Sequence, residues 1–255
     1  LFPYTTLFRS RSDIDIQVKE PVSEDSGIYI GALPEGVAGT ATGETSLTAG
    51  NDARFDVQGS GNVALEGSIT AGKVAEDGTT EGGDVVAKID DEGSVLITGS
   101  VESKNGDVSV QTGEGHIYIG TDKTPNEETV KAKNNVTVGT NLGTIYIQGE
   151  TSTEIGDITM TAGKDAYEQG TGAGNFIIRD DGKLNSGGGI VLNGRNGDIE
   201  ITDDIQAQKG INATIKEKGS VIFDRDVNVT NDLSISTDEG NISIGKAINS
   251  TEGRS

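Results

Sequence analysis

A short phrase of alternating character recurs along this chain: glycine, a polar residue, then apolar, variable, apolar. It reads Gly93-Ser-Val-Leu-Ile, Gly106-Asp-Val-Ser-Val, Gly115-His-Ile-Tyr-Ile, Gly143-Thr-Ile-Tyr-Ile, Gly156-Asp-Ile-Thr-Met, Gly197-Asp-Ile-Glu-Ile, Gly219-Ser-Val-Ile-Phe and Gly240-Asn-Ile-Ser-Ile. The positions 93, 106 and 115 are 13 and 9 apart, and 197, 210, 219, 231 and 240 are 13, 9, 12 and 9 apart. Two phrases make one unit of 21–22 residues, the mark of a stacked solenoid rather than a globular core.

Within a unit, Val95 and Ile97 flank Leu96, and Val108 and Val110 flank Ser109. Period-2 alternation of β-branched residues predicts strands with one buried face. Glycine with Asn or Asp between the runs predicts turns. Helices are not expected, because apolar spacing of three to four is missing and each interior glycine costs a helix about 1 kcal/mol. The expected fold is all-β, a right-handed parallel β-helix with coils of 21–22 residues. Neighbouring coils should stack about 4.8 Å apart, giving roughly ten coils and a rod of about 50 Å. Each inward Ile or Val then packs on its equivalents one coil away. A left-handed β-helix prefers shorter hexapeptide coils, and a β-sandwich would not alternate 13 with 9.

Departures from the period predict excursions from the rod wall near residues 122–127, 164–172 and 75–83. Long loops are tolerated at such places and often carry binding surfaces. Residues 31–51 keep few paired apolar positions and read as a degenerate coil or a long loop. The expected organisation is 1–10 as a foreign segment, 11–52 as irregular or degenerate coils, and 53–255 as repetitive β-helix, a fragment of a longer protein. Leu1–Ser10 (LFPYTTLFRS) breaks every later pattern and resembles the translation of a short-read sequencing adapter, as in a metagenomic gene fragment. On that reading native sequence begins near Arg11. The opening residues lack the basic start and apolar run of a signal peptide.

Charge narrows the partners. The chain carries 20 Lys and Arg against 41 Asp and Glu, a net charge of −21. Such a field repels nucleic acid and anionic membranes, so neither is an expected partner. The apolar runs are too short to cross a bilayer as helices. With no cysteine and a single histidine, neither a disulfide framework nor a closed zinc site of familiar ligands is expected.

Candidate chemistry is sparse. Tyr118 and Tyr146 each sit between inward isoleucines and fall at the same phase one coil apart once the extra residues are removed. They would form an exposed aromatic stack, either a platform for sugar rings or a partner protein, or a pair that stiffens its own sheet. His116 takes the polar slot after a turn glycine, where Asp, Asn, Ser or Thr stands elsewhere, and reads as a turn residue. Acidic doublets occur at Asp90-Asp91-Glu92, Asp180-Asp181 and Asp203-Asp204, without a D-x-D-x-D-G calcium loop. Asp84, Asp107, Asp157 and Asp198 follow turn glycines and are expected to keep the surface soluble and to discourage sideways sheet pairing. No nucleophile elbow G-x-S-x-G and no phosphate-binding G-x-x-x-x-G-K-[ST] is present. No metal, cofactor or catalytic residue is assigned.

The phrases G-D-[IV]-x-[IV] and G-x-I-Y-I, with acidic, cysteine-free, aromatic-poor composition, resemble the passenger repeats of bacterial filamentous haemagglutinin-type adhesins. These are large exoproteins exported by two-partner or autotransporter routes. The resemblance covers most of residues 53–250 and rests on repeat style. It implies a non-enzymatic shaft or display segment at the bacterial cell surface, contacting a host-cell surface protein or glycan, or neighbouring matrix proteins. A surface-layer or biofilm-matrix protein shares the same signature. The alternative is a β-helix carbohydrate-active enzyme, a polysaccharide lyase or glycoside hydrolase. Such enzymes line an outward groove with acidic and basic residues, whereas Leu96, Ser109, Thr137, Thr159, Ser234 and Ser243 give a neutral outward mixture.

Overall fold

A computed structural model describes residues 6–19, 27–31, 45–74, 80–120, 128–163, 174–179 and 182–250. Every regular element among them is a strand. Three parallel sheets run the length of the molecule. Sheet A, from Thr6–Arg9 to Ile248–Ser250, has ten strands; sheet B, from Ile14–Lys19 to Leu233–Glu239, and sheet C, from Gly27–Ile30 to Ile242–Ile244, have nine each. The chain visits A, B and C in turn. Each strand pairs only with its equivalents in the preceding and following coils. This is a parallel β-helix.

Register fixes the coil length. In sheet C, Val95 pairs with Ile117, Phe176 with Ile199, Ile199 with Val221 and Val221 with Ile242. These steps of 21–23 residues are the repeat read from the glycine phrases. Larger steps occur from Val63 to Val95, Ile117 to Ile145 and Ile145 to Phe176, the three coils where excess residues were expected. Those at 122–127 and 164–172 lie outside the described residues. The excess at 75–83 is flanked by a small antiparallel pair, Lys73–Val74 with Thr80–Glu81, and residues 75–79 lie outside the description.

Alternation places the core as expected. In sheet C, Val95, Ile97, Ile117, Ile119, Ile145, Ile147, Ile199 and Ile201 are buried, and the residue between each pair faces out. Phe55, Phe176 and Phe223 are fully buried. Each such side chain contributes about 1.5–3 kcal/mol on burial, and only stacking supplies that burial, since one coil cannot cover its own apolar edge. The glycine opening most sheet C phrases is required by the B-to-C corner. Gly115 has φ +145°, and a Cβ there would collide with the carbonyl oxygen of Gly93 one coil below.

The stack begins earlier than the sequence pattern does. Ile14–Lys19 and Gly27–Ile30 already pair in register with Ala53–Gln58 and Asn62–Leu65. Thr45–Ala49, inside the stretch read as degenerate coil or long loop, is a strand of sheet A, while residues 32–44 lie outside the description. Thr6–Arg9, within the adapter-like segment, lies beside Thr45–Ala49. An open sheet edge pairs with extended backbone of almost any sequence, because the bonds come from the main chain.

Several core positions break the apolar rule; Ser103, Thr140 and Ser186 are buried with their hydroxyls hydrogen-bonded, whereas that of Thr151 is not. Thr151 is fully buried between Val130 and Leu184 in sheet A, and its hydroxyl has no hydrogen-bond partner. Thr151→Val keeps the shape and removes a desolvated hydroxyl, so it should raise stability by about 1 kcal/mol. A denaturant melt checks this; a loss of stability would mean that the hydroxyl is satisfied.

Candidate functional site

Sheet C turns one residue per strand away from the core, half-buried in most strands and buried at Ala64, and register stacks these residues into a single outward column. It runs Tyr29, Ala64, Leu96, Tyr118, Tyr146, Ile177, Glu200, Ile222 and Ser243. Most of the column is apolar although it faces solvent. At its centre the rings of Tyr118 and Tyr146 are parallel within 4°, with centroids 4.9 Å apart. Rings lying flat side by side could not approach so closely, so the two overlap face to face, as offset stacked pairs do. Each has one face covered by the other, leaving ring edges and phenolic hydroxyls for a ligand. Burial raises the Tyr118 phenol above its ordinary range, and Tyr146 adds to the rise.

His116 stands beside the pair, its ring 5.9 Å from Tyr118 and 6.1 Å from Tyr146 between centroids. Its Nδ1 accepts the backbone N–H of Thr144 at 3.0 Å, so in the neutral ring the proton sits on Nε2. The same slot does the same work in other coils. Asn62 accepts from Ser94 N–H, Asn175 from Asp198 N–H and Asp198 from Ser220 N–H. His116 is therefore a rung of a ladder that ties most B-to-C corners to the next.

A second ladder runs along the entry to sheet B and assigns the turn aspartates a task that solubility does not cover. Asp52 Oδ1 accepts from the N–H groups of Gly83 and Asp84, Asp84 from Asp107, Asp107 from Asn135, Asn135 from Asp157, and Asp157 from Gly189. Charge-assisted bonds of this kind are stronger than neutral ones. Burial works to raise the Asp52 carboxyl, but the Gly83 and Asp84 donors and the Arg54 guanidinium outweigh it and hold the carboxyl below its usual range.

The remaining charges are dispersed. Asp90 pairs with Lys88 at 2.5 Å, Glu200 with Arg179 at 2.6 Å, and Glu217 with Arg195 at 2.7 Å. Arg195 and Asn196 hold the Glu217 carboxyl low. Asp203 accepts the N–H of Asp204, and the Asp180-Asp181 doublet lies outside the described residues. Among the described residues no group of three or more His, Asp or Glu converges to hold a metal ion, and no helix is long and apolar enough to cross a membrane.

The outer face of sheet B carries a feature that the sequence reading passed over. A hollow of about 260 Å³ opens around Gly139, bordered by Lys88, Asp90, Gln111, Thr137, Asn141 and Thr161. Its sequence signal is a glycine inside the strand run Val136–Leu142 rather than at a turn.

Comparison with protein-family models, with curated proteins and with solved structures finds no match to this chain.

Proposed function

We propose that this chain is a shaft or display segment of a large secreted bacterial surface adhesin, mediating attachment or matrix contacts at the cell surface. The observation that carries this reading is parallel strand pairing that continues from coil to coil through all three sheets, tied at two corners by side-chain ladders. Such a rod holds outward side chains at fixed intervals and transmits load along its axis through paired backbone. Its partners are a host-cell surface protein or glycan, or neighbouring matrix proteins. Tyr118 and Tyr146, at the centre of an outward apolar column, are the proposed platform.

What supports display over polysaccharide cleavage is the dispersal of carboxylates. Glycosidases set two of them across a scissile bond, whereas the one carboxylate bordering the sheet B hollow, Asp90, is paired with Lys88. Microspheres coated with the protein should be retained on epithelial cells or biofilm, and a Tyr118→Ser, Tyr146→Ser double variant should lower retention. In parallel, the protein should release no reducing or unsaturated ends from a panel of polysaccharides. Chain cleavage would overturn the reading in favour of a β-helix enzyme, and retention no greater than that of albumin-coated spheres would remove its support.

A further inference from the structure

We propose that the hollow over Gly139 on the outer face of sheet B is a binding site for a linear, neutral oligosaccharide. The inference stands apart from the tyrosine platform, which lies on sheet C.

Gly139 has no role in the fold that accounts for it. It lies within the strand Val136–Leu142, paired with Gln111 on one side and Thr161 on the other. It is not among the glycines with positive φ. A Cβ added there would meet only the Thr161 carbonyl oxygen, at an ordinary 3.9 Å. This contrasts with Gly115, where a Cβ cannot be accommodated. A glycine inside a strand weakens it and leaves no side chain to pack, and one recurrent reason for it is the close approach of a ligand. Its two immediate neighbours in the outward column, Gln111 and Thr161, carry a long and a branched side chain, so the glycine makes a gap between them.

The walls of the gap are suited to a polyhydroxyl ligand. Gln111, Thr137, Asn141 and Thr161 present amides and hydroxyls, and their side chains make no hydrogen bond to another described residue. Further along the same face, Thr214 bonds Asn212 and Ser236 bonds Thr214. Unused donors and acceptors thus line the hollow. The border's charges cancel in the Lys88–Asp90 pair, which leaves no free cation to select an anionic sugar. The hollow opens to solvent on the outer face of the sheet, which admits a chain passing through it. Successive coils repeat at about 4.8 Å, close to the advance of one pyranose ring along an extended glycan. Equivalent side chains on adjacent coils can therefore meet equivalent hydroxyls on adjacent sugars.

The test is calorimetric titration of the protein with hexasaccharides of neutral glucan, mannan and galactan, and with oligogalacturonate as an anionic probe. At least one neutral hexamer should bind. Gly139→Thr, which fills the gap, should weaken that binding by about tenfold or more, while Ser234→Ala on the same sheet outside the hollow leaves it unchanged. The melting temperature of Gly139→Thr should equal or exceed that of the parent, because threonine suits a strand better than glycine. A destabilised Gly139→Thr would overturn the premise that the fold does not need this glycine. Unweakened binding by a stable Gly139→Thr, no neutral hexamer bound, or a preference for oligogalacturonate would each overturn the assignment.

Discussion

Replacing Ile199 by aspartate should abolish the single cooperative unfolding transition of the rod, while replacing its neighbour Glu200 by lysine should leave that transition in place. Ile199 is fully buried, stacked between Phe176 and Val221 in the third strand of sheet C from its C-terminal end. Truncating a buried isoleucine costs about 2–5 kcal/mol, and an unpaired carboxylate in its place adds several more. A protein whose total stability is about 5–15 kcal/mol does not absorb both. The defect sits between coils, so it also severs the column through which the two halves of the stack support each other. Glu200 points outward, half-exposed, in an ion pair with Arg179. Surface pairs of this kind are worth about 0–1 kcal/mol, and that sets the scale of the Glu200→Lys loss. Thermal melts followed by circular dichroism compare the two variants; equal effects would mean that the register of sheet C is misassigned.

The second large effect concerns association. In the 255-residue chain, the coil made by Leu233–Glu239, Ile242–Ile244 and Ile248–Ser250 has no strand beyond it among the described residues. Ile242, Ile244 and Ile248 occupy core positions of the repeat yet are 47%, 40% and 44% exposed. At the other end Ile14, Ile16 and Val18 are only partly covered. The two faces are complementary, each offering unpaired parallel strands over an apolar section, and a head-to-tail contact of this sort does not close on itself. Light scattering should therefore find a mass that grows with protein concentration. A net charge of −21 opposes the contact, so added salt should promote it by screening. Ile244→Lys, which sets a charge on the exposed face, should reduce it. A monomer at every concentration and salt level would show that the end coils cover themselves.

The inward and outward assignment of each sheet C phrase was legible because a strand has period 2 and every inward position carries Ile, Val, Leu or Phe. Coil length was legible because the corner admits only glycine at positions such as Gly115, where positive φ and the carbonyl one coil below act together. The stacking of Tyr118 on Tyr146 followed from the same phase. The role of Asp107 did not. Its carboxylate accepts the N–H of Asn135, 28 positions later in the chain, and a side chain's partner in another coil is invisible to local pattern. The early coils, expected only as irregular or degenerate, gave a weaker pattern for a related reason. Ile14–Lys19 and Thr45–Ala49 are held by pairing with neighbours rather than by a repeat of their own.

By itself, then, the sequence determined the kind of object: a parallel solenoid, its coil length, and which residues face inward. Local sterics and alternation are sufficient for these, because each coil obeys the same two constraints, glycine at the corner and β-branched residues within. Tertiary structure alone decided what stands beside what across coils. It turned turn aspartates and His116 into ladders, left Thr151 buried without a partner, and converted a strand glycine into a hollow lined by unengaged hydroxyls and amides. Those properties depend on register between segments separated by 21 residues or more, and register is set by packing of the whole stack.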